Sequence, residues 1–121
     1  MFHKDLEVYK SSMQLVKLIY ELCSTFPIEE IYGLSSQMKR AAISVPSNIA
    51  EGNGRNSSKE LINFLNIALG SLTELETQVE IALMLSLSKD TEKHKCIVSL
   101  IQKVKQLLIG LIKSLKAKRH D

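Results

Sequence analysis

Tryptophan is absent from this chain of 121 residues, and tyrosine and phenylalanine occur only three times each. The last quarter, residues 89–121, carries no Phe, Trp or Tyr, which argues against a platform that stacks the bases of single-stranded nucleic acid. Proline occurs twice and glycine five times, too few to punctuate a sheet protein, while Leu, Ile, Lys, Glu and Ser are abundant and favour helix. The two cysteines, Cys23 and Cys96, have no C-x-x-C spacing, so neither a zinc site nor a redox pair is indicated. They are expected to be reduced thiols of a cytoplasmic protein. No apolar run is long enough for a membrane span, since the longest, Cys96 to Ile112, is interrupted by Gln102, Lys103, Lys105 and Gln106. The first five residues hold two charges and no apolar stretch, so no signal peptide is expected.

Catalytic signatures are equally scarce. His3, His94 and His120 are scattered, and no Glu-x-x-His pair of the di-iron bundle type occurs. Neither cysteine has a histidine placed to activate it. The segment Gly52-Asn53-Gly54-Arg55 lacks the Gly-Lys-Ser/Thr ending of a phosphate loop. No cofactor or metal is expected, and the chain reads as a non-enzyme.

What is present is helical periodicity, in a length that fits a single domain over residues 1–121. A first helix is predicted from Asp5, as N-cap, to Thr25, with Leu6, Tyr9, Met13, Val16, Tyr20 and Cys23 as its core seam at steps of three and four. Phe26-Pro27 ends it. A second helix starts at Ser35 or Ser36, buries Met38, Ala42, Val45 and Ile49, and stops at Gly52 with positive φ. Pro46 inside it removes a backbone donor and predicts a kink near Ala42–Val45. Ser57-Ser58-Lys59-Glu60 reads as a capping box for a third helix, seamed by Leu61, Leu65, Ala68, Leu72, Leu75, Val79 and Ala82 and extending to about Leu87. After a turn at Ser88–Asp90, Ile97, Ile101, Val104, Leu108, Leu111 and Leu115 mark a fourth, which frays from Lys116. The expected architecture is all-α, an antiparallel up-down-up-down four-helix bundle.

The apolar stripes exceed what one bundle needs. Val8, Leu15, Leu18, Ile19 and Leu22 form a second set on the first helix, the third adds Ile62, Ile67, Leu69, Ile81 and Leu83, and the fourth adds Leu100, Leu107, Ile109 and Ile112. Leu18, Ile67, Ile81 and Ile109 are the hardest to hide within one copy. A homo-oligomer is therefore expected.

Polar residues also align. Gln37, Ser44, Asn48 and Glu51 share one side of the second helix, with Arg40 at its edge and Arg55 beyond its end, and Ser71, Glu74 and Gln78 share one side of the third. They read as a partly buried network, as a solvated face, or as a ligand or catalytic site built on Asn48, Glu51 and Glu74, and spacing leaves these open. Charge is uneven. Residues 1–88 hold seven Lys and Arg against ten Asp and Glu, and residues 89–121 hold nine against three. Lys103, Lys105, Lys113, Lys116, Lys118 and Arg119 could track a phosphate backbone of RNA or DNA. A solvated lysine face, or a scaffold docking a partner enzyme with no nucleic-acid affinity of its own, are the other readings.

The order Phe26-Pro27, Tyr32-Gly33-Leu34, Gln37, Arg40-Ala41-Ala42, Ser44-Val45-Pro46, Asn48-Ile49-Ala50-Glu51-Gly52, Arg55, Phe64, Ala68, Gly70-Ser71 and Glu74 resembles the four-helix-bundle 23S rRNA-intervening-sequence proteins. The resemblance spans nearly the whole chain, and Ser-Val-Pro-x-Asn-Ile-Ala-Glu-Gly is its most specific part. It implies a fold similar to the accessory proteins of diversity-generating retroelements, which form barrel-like homopentamers, bind nucleic acid through a basic surface and associate with a reverse transcriptase. A pentamer is the assembly this resemblance implies.

Overall fold

A computed structural model describes residues 6–118. It contains helices α1 (Glu7–Cys23), α2 (Leu34–Asn53), α3 (Ser58–Met84) and α4 (Thr91–Ala117), with one 3-10 turn at Ile28–Glu30 between the first two. No strand occurs among the described residues. Each helix packs on two neighbours in a ring, α1 on α2 and α4, α3 on α2 and α4, while the backbones of the diagonal pairs stay more than 8 Å apart, Cα to Cα. Residues 54–57, joining α2 to α3, reach at most about 14 Å when extended, far less than the ~40 Å length of α3. The chain must therefore double back. Side-chain pairs agree: Glu7 meets Lys103 and Glu21 meets Lys93, so α1 and α4 run in opposite directions. No helix among the described residues is long and apolar enough to cross a membrane.

The core is one cluster fed by all four helices. On α2, Met38, Ala42, Val45 and Ile49 are fully enclosed, as their spacing indicates, and so are Leu65, Ala68, Leu72, Leu75, Val79 and Ala82 on α3 and Ile97, Ile101, Val104 and Leu108 on α4. Leu61, Leu111 and Leu115 are only half-buried, and Ile112 is the deeper residue at the end of α4. On α1 the expected seam is right only in part: Cys23 is buried and Leu6, Tyr9 and Val16 pack half-buried against the core. Met13 and Tyr20 are 48% and 42% exposed, whereas Val8, Leu15, Ile19 and Leu22 face the core. The true seam is interrupted by Ser11 and Ser12, which are buried because their hydroxyls are satisfied locally. Ser12 Oγ donates to the Tyr9 carbonyl at 2.8 Å and Ser11 Oγ to Glu7 Oε1 at 3.2 Å. Tyr20 instead lies at the α1–α2 edge, where the Lys39 ammonium sits 4.8 Å from its ring centre.

Helix ends follow local chemistry. Ser57 caps α3, accepting from the Glu60 N–H at 3.1 Å, the first half of a capping box, while its hydroxyl donates to Glu60 Oε2 at 3.4 Å. Asp90 caps α4 by accepting from Lys93 N–H at 3.0 Å. The expected N-cap Asp5 lies outside the described residues; Leu6 occupies the N-cap position of α1, without a side-chain cap. Likewise α2 begins at Leu34, one or two residues before the expected start at Ser35 or Ser36; Gly33 offers no side-chain cap, and Glu30 Oε1 accepts from the Leu34 N–H at 3.5 Å. Pro46 sits buried within an uninterrupted α2.

Two glycine-related expectations are corrected. Gly52 does not stop α2 with positive φ; it lies inside the helix, and no glycine among the described residues has positive φ. It is a point of close approach: a Cβ there would lie 2.7 Å from Phe64 Cβ and 3.1 Å from Leu61 Cδ1. Conversely, α3 ends three residues before Leu87 because Ser86 adopts φ 54°. Leu87 N–H bonds to the Ala82 carbonyl and Ser86 N–H to that of Leu83, a Schellman closure that glycine usually supplies.

His94, on the core face of α4, is 4% exposed. Burial lowers its pKa from 6.5, partly opposed by the charge of Asp90.

Three outcomes follow from these contacts. Gly52→Ala should destabilise by about 1–3 kcal/mol, because the clash is with Phe64 Cβ, fixed to the α3 backbone. Ser86→Gly should stabilise by about 1 kcal/mol by removing a left-handed non-glycine residue. Chemical denaturation measures both. For His94 the unfolded chain binds the proton more readily than the folded one. Its contribution is complete above pH 6.5 and is lost as pH falls through the lower, folded-state value. Thermal scans between about pH 7 and 5 should show falling Tm in the parent and a flatter profile in His94→Leu.

Candidate functional site

α2 and α3 share the most extensive interface of the bundle, and the two polar ladders meet across it. At the centre, Ser44 Oγ and Ser71 Oγ lie 2.7 Å apart. Asn48 Nδ2 donates to the Ser44 carbonyl at 2.8 Å and to Ser44 Oγ at 3.0 Å. All three side chains are half-buried. This trio is what the structure retains of the larger network. Glu51 and Arg55 form a separate pair on the surface, 3.0 Å apart and 55% and 42% exposed, and the Arg55 guanidinium lies 4.9 Å over the Phe64 ring. Phe64 is the partner that spacing alone did not place, because it stands on another helix. Gln78, aligned with Ser71 and Glu74 in sequence, is buried and its Oε1 has no hydrogen-bond partner.

Above the serine pair, Gln37, Arg40, Ala41, Ser44, Ser71 and Glu74 line an open concavity of about 370 Å³. Gln37, Arg40 and Glu74 are exposed, and no ion pair among the described residues joins Arg40 to Glu74. The lining holds no histidine or cysteine, so neither serine has a neighbouring imidazole base. Among the described residues no cluster of His, Cys, Asp or Glu could hold a metal ion.

The lysines of α4 divide into two groups. Lys93 reaches Glu21 at 2.9 Å, Lys103 reaches Glu7 at 2.9 Å, Lys105 reaches Glu76 at 2.8 Å and Lys95 lies 3.6 Å from Glu92. Gln102 also donates to Glu76 at 2.7 Å. The Lys103 hydrogen bond and charge lower the pKa of Glu7, and the Lys93 hydrogen bond lowers that of Glu21 while its own is raised in return. Lys113, Lys116 and Lys118 are exposed, with no carboxylate in reach among the described residues. Arg119 lies outside the described residues.

The two halves of the polar ladder should respond differently to mutation. Asn48→Ala removes two hydrogen bonds from a half-buried site and should cost about 1 kcal/mol. Glu51→Ala breaks only an exposed i,i+4 pair and should cost less than about 0.5 kcal/mol. Urea denaturation of the two variants checks this ordering.

No curated protein matches the chain significantly. Among solved structures, a protein of unknown function from the S23 ribosomal protein family of Bacteroides thetaiotaomicron superposes with a TM-score of 0.80 at 27% identity. The match covers 93% of this chain and 99% of that one. The family model for 23S rRNA-intervening sequence proteins matches residues 4–110, a span that holds the Ser44–Ser71–Asn48 contact, the Gly52 approach and most of α4. On this match the chain belongs to the 23S rRNA-intervening sequence protein family.

Proposed function

We propose that this protein is a non-catalytic bundle that assembles into a homo-oligomer and engages the backbone of RNA or DNA through the end of α4. The observation that carries the reading is the sorting of lysines along that helix. Those up to Lys105 that meet carboxylates are consumed in holding α4 to α1 and α3 or to its own first turn, whereas Lys113, Lys116 and Lys118 are unspent. Phosphate binding draws on cations that are not already neutralised. Arg119 extends the same run in sequence. The 23S rRNA in the family's name keeps RNA first among polyanions.

Self-association is supported by what one copy leaves uncovered. Ile67 and Ile109 are 51% and 37% exposed. Gly70 and Gly110, in mid-helix beside them, face open space with nothing within 4 Å of where a Cβ would stand. Each glycine costs about 1 kcal/mol against alanine in a helix interior, with no compensating contact inside the single chain. A neighbouring copy lying close against these faces supplies one, and a ring of five is the number the family resemblance implies. Three lysines bind weakly alone; several copies held together multiply them through effective concentration. A cytoplasmic setting fits both RNA and reduced thiols. The serine pair is bound to its own neighbours rather than to a base, in keeping with a non-catalytic role.

The second reading, a scaffold for a partner enzyme, is favoured by Leu83, Met84 and Leu85 at the end of α3, which are 54%, 74% and 55% exposed.

Light scattering should give a mass that is a multiple of 13.6 kDa, and a 13.6 kDa particle would remove the assembly. Mobility shift with structured RNA and duplex DNA at about 50 mM salt should show binding that weakens steeply as salt rises. Replacing Lys113, Lys116 and Lys118 together by Gln should flatten the log–log salt slope by about 2–3 per protomer engaged. No shift at that salt, with an enzyme recovered from the host after nuclease treatment, would replace this reading by the scaffold.

A further inference from the structure

His94 differs from the buried serines of α1, and with Gln78 it is one of two buried residues with unpartnered side-chain atoms among the described residues. Ser11 and Ser12 find acceptors within their own helix, but neither Nδ1 nor Nε2 of His94 has a hydrogen-bond partner, and neither nitrogen is in contact with solvent. The nearby Asp90 carboxylate is occupied by the Lys93 N–H at 3.0 Å. Buried imidazoles rarely go without both partners, so the ligand-free protein holds a group that would gain from an incoming one.

The same residue lines a concavity of about 450 Å³ between α3 and α4, together with Leu83, Thr91, Lys95, Val98 and Ser99. That volume falls in the range of small-molecule sites, and so does the mixture of apolar wall with a few polar groups. Leu83 and Val98, 54% and 47% exposed, form the wall. The mouth carries charge of both signs. Lys95 is there, held only by a loose 3.6 Å pair with Glu92 in which both side chains are more than three-quarters exposed. Thr91 opens α4, so the first turn adds the positive end of a 27-residue helix dipole, offset by the carboxylates of Asp90 at the N-cap and Glu92 in that turn. The acids Glu76 and Glu80 line a separate concavity beyond Leu83 and Val98, and Glu76 is already bound by Lys105 and Gln102.

We propose that this concavity binds a small amphipathic carboxylate, an alkanoic or aryl-alkanoic acid, with its apolar part on Leu83 and Val98 and its carboxylate between Lys95 Nζ and the His94 ring. In the ligand-free state the ring nitrogens are enclosed. Rotation about the side-chain torsions brings one N–H to the carboxylate, and the ligand supplies the acceptor the core lacks. Neither Asp90 nor Glu92 lines the concavity, whereas Lys95 does, which favours an anion over a cation. A purely apolar ligand would leave His94 unpartnered. The inference is independent of nucleic-acid binding and of assembly.

The test is NMR of the full chain carrying labelled histidine, titrated with octanoate, with 3-phenylpropionate and with neutral 1-octanol. At least one acid should move the His94 Cε1–H resonance saturably, with Kd on the order of 1 mM, and raise the pH at which that resonance titrates. The tighter of the two acids identifies the source class. 1-Octanol should bind about tenfold more weakly or not at all, and Lys95→Met, a change at an exposed residue, should weaken the acid about tenfold with unchanged circular dichroism. The site is refuted if neither acid moves His94, if octanol matches octanoate, or if Lys95→Met binds as the parent does.

Discussion

The contact on which the arrangement of this bundle depends is the approach of α2 to α3 at Gly52. With a Cβ absent there, Phe64 and Leu61 come within a distance that any other residue would forbid, and the two helices lie close enough further along for Ser44 and Ser71 to share a 2.7 Å hydrogen bond. Ala41, Ala42 and Ala68 are small and buried on the same two helices, which keeps the spacing narrow. Pro46 is tolerated in this setting. It removes one intrahelical hydrogen bond, a cost of about 3 kcal/mol in an exposed helix, but here Val45, Pro46 and Ile49 are all buried, so packing fixes the path that the missing bond would otherwise fix. Most of the stretch from Ser44 to Gly52 is thus accounted for by one helix pairing.

How far the fold could be read from sequence depended on the size of the residues on each seam. α2, α3 and α4 carry unbroken series of aliphatic residues or alanine at three- and four-residue steps, and those faces are buried. α1 misled because its core stripe is broken by Ser11 and Ser12, while a rival stripe holds the larger and more conspicuous Tyr9, Met13 and Tyr20. Nothing in a lone sequence says that two serines will bond to Tyr9 and Glu7 and go inside. Glycine and serine misled in complementary ways. A glycine near an expected helix end resembles a C-cap, yet Gly52 serves a neighbour's side chain, and the left-handed cap of α3 falls on Ser86, which carries no such signal.

The candidate site was less legible than the fold, for a physical reason. Periodicity places a charge on a face, but its partner depends on which helix comes alongside. Lys103 and Glu7 are 96 positions apart and Lys105 and Glu76 are 29 apart, so the acidic body and basic tail seen in the composition are in part the two halves of the same ion pairs. Only the last turns of α4 outrun their acidic neighbours. The polar ladder shrinks for a similar reason: Glu51 and Glu74 point to water, and the residues short enough to meet across the interface, Ser44, Asn48 and Ser71, are the ones that bond.

α4 therefore carries three zones of different character. Its first three turns hold His94 and the mouth formed by Thr91, Lys95 and Ser99. Its middle is tied down through Lys103 and Lys105, and its end presents unpaired lysines. His94 and Lys116 are 22 residues apart, about 33 Å along the helix axis, so a molecule bound at one end makes no contact with a polyanion at the other. Any influence between them would have to pass through the helix as a body, by shifting the ion pairs that hold its middle to α1 and α3, because coupling requires an element whose two positions each ligand distinguishes. Those ion pairs join different helices and involve exposed or half-buried side chains. They lie between the two zones, where a shift of α4 against α1 and α3 would change them.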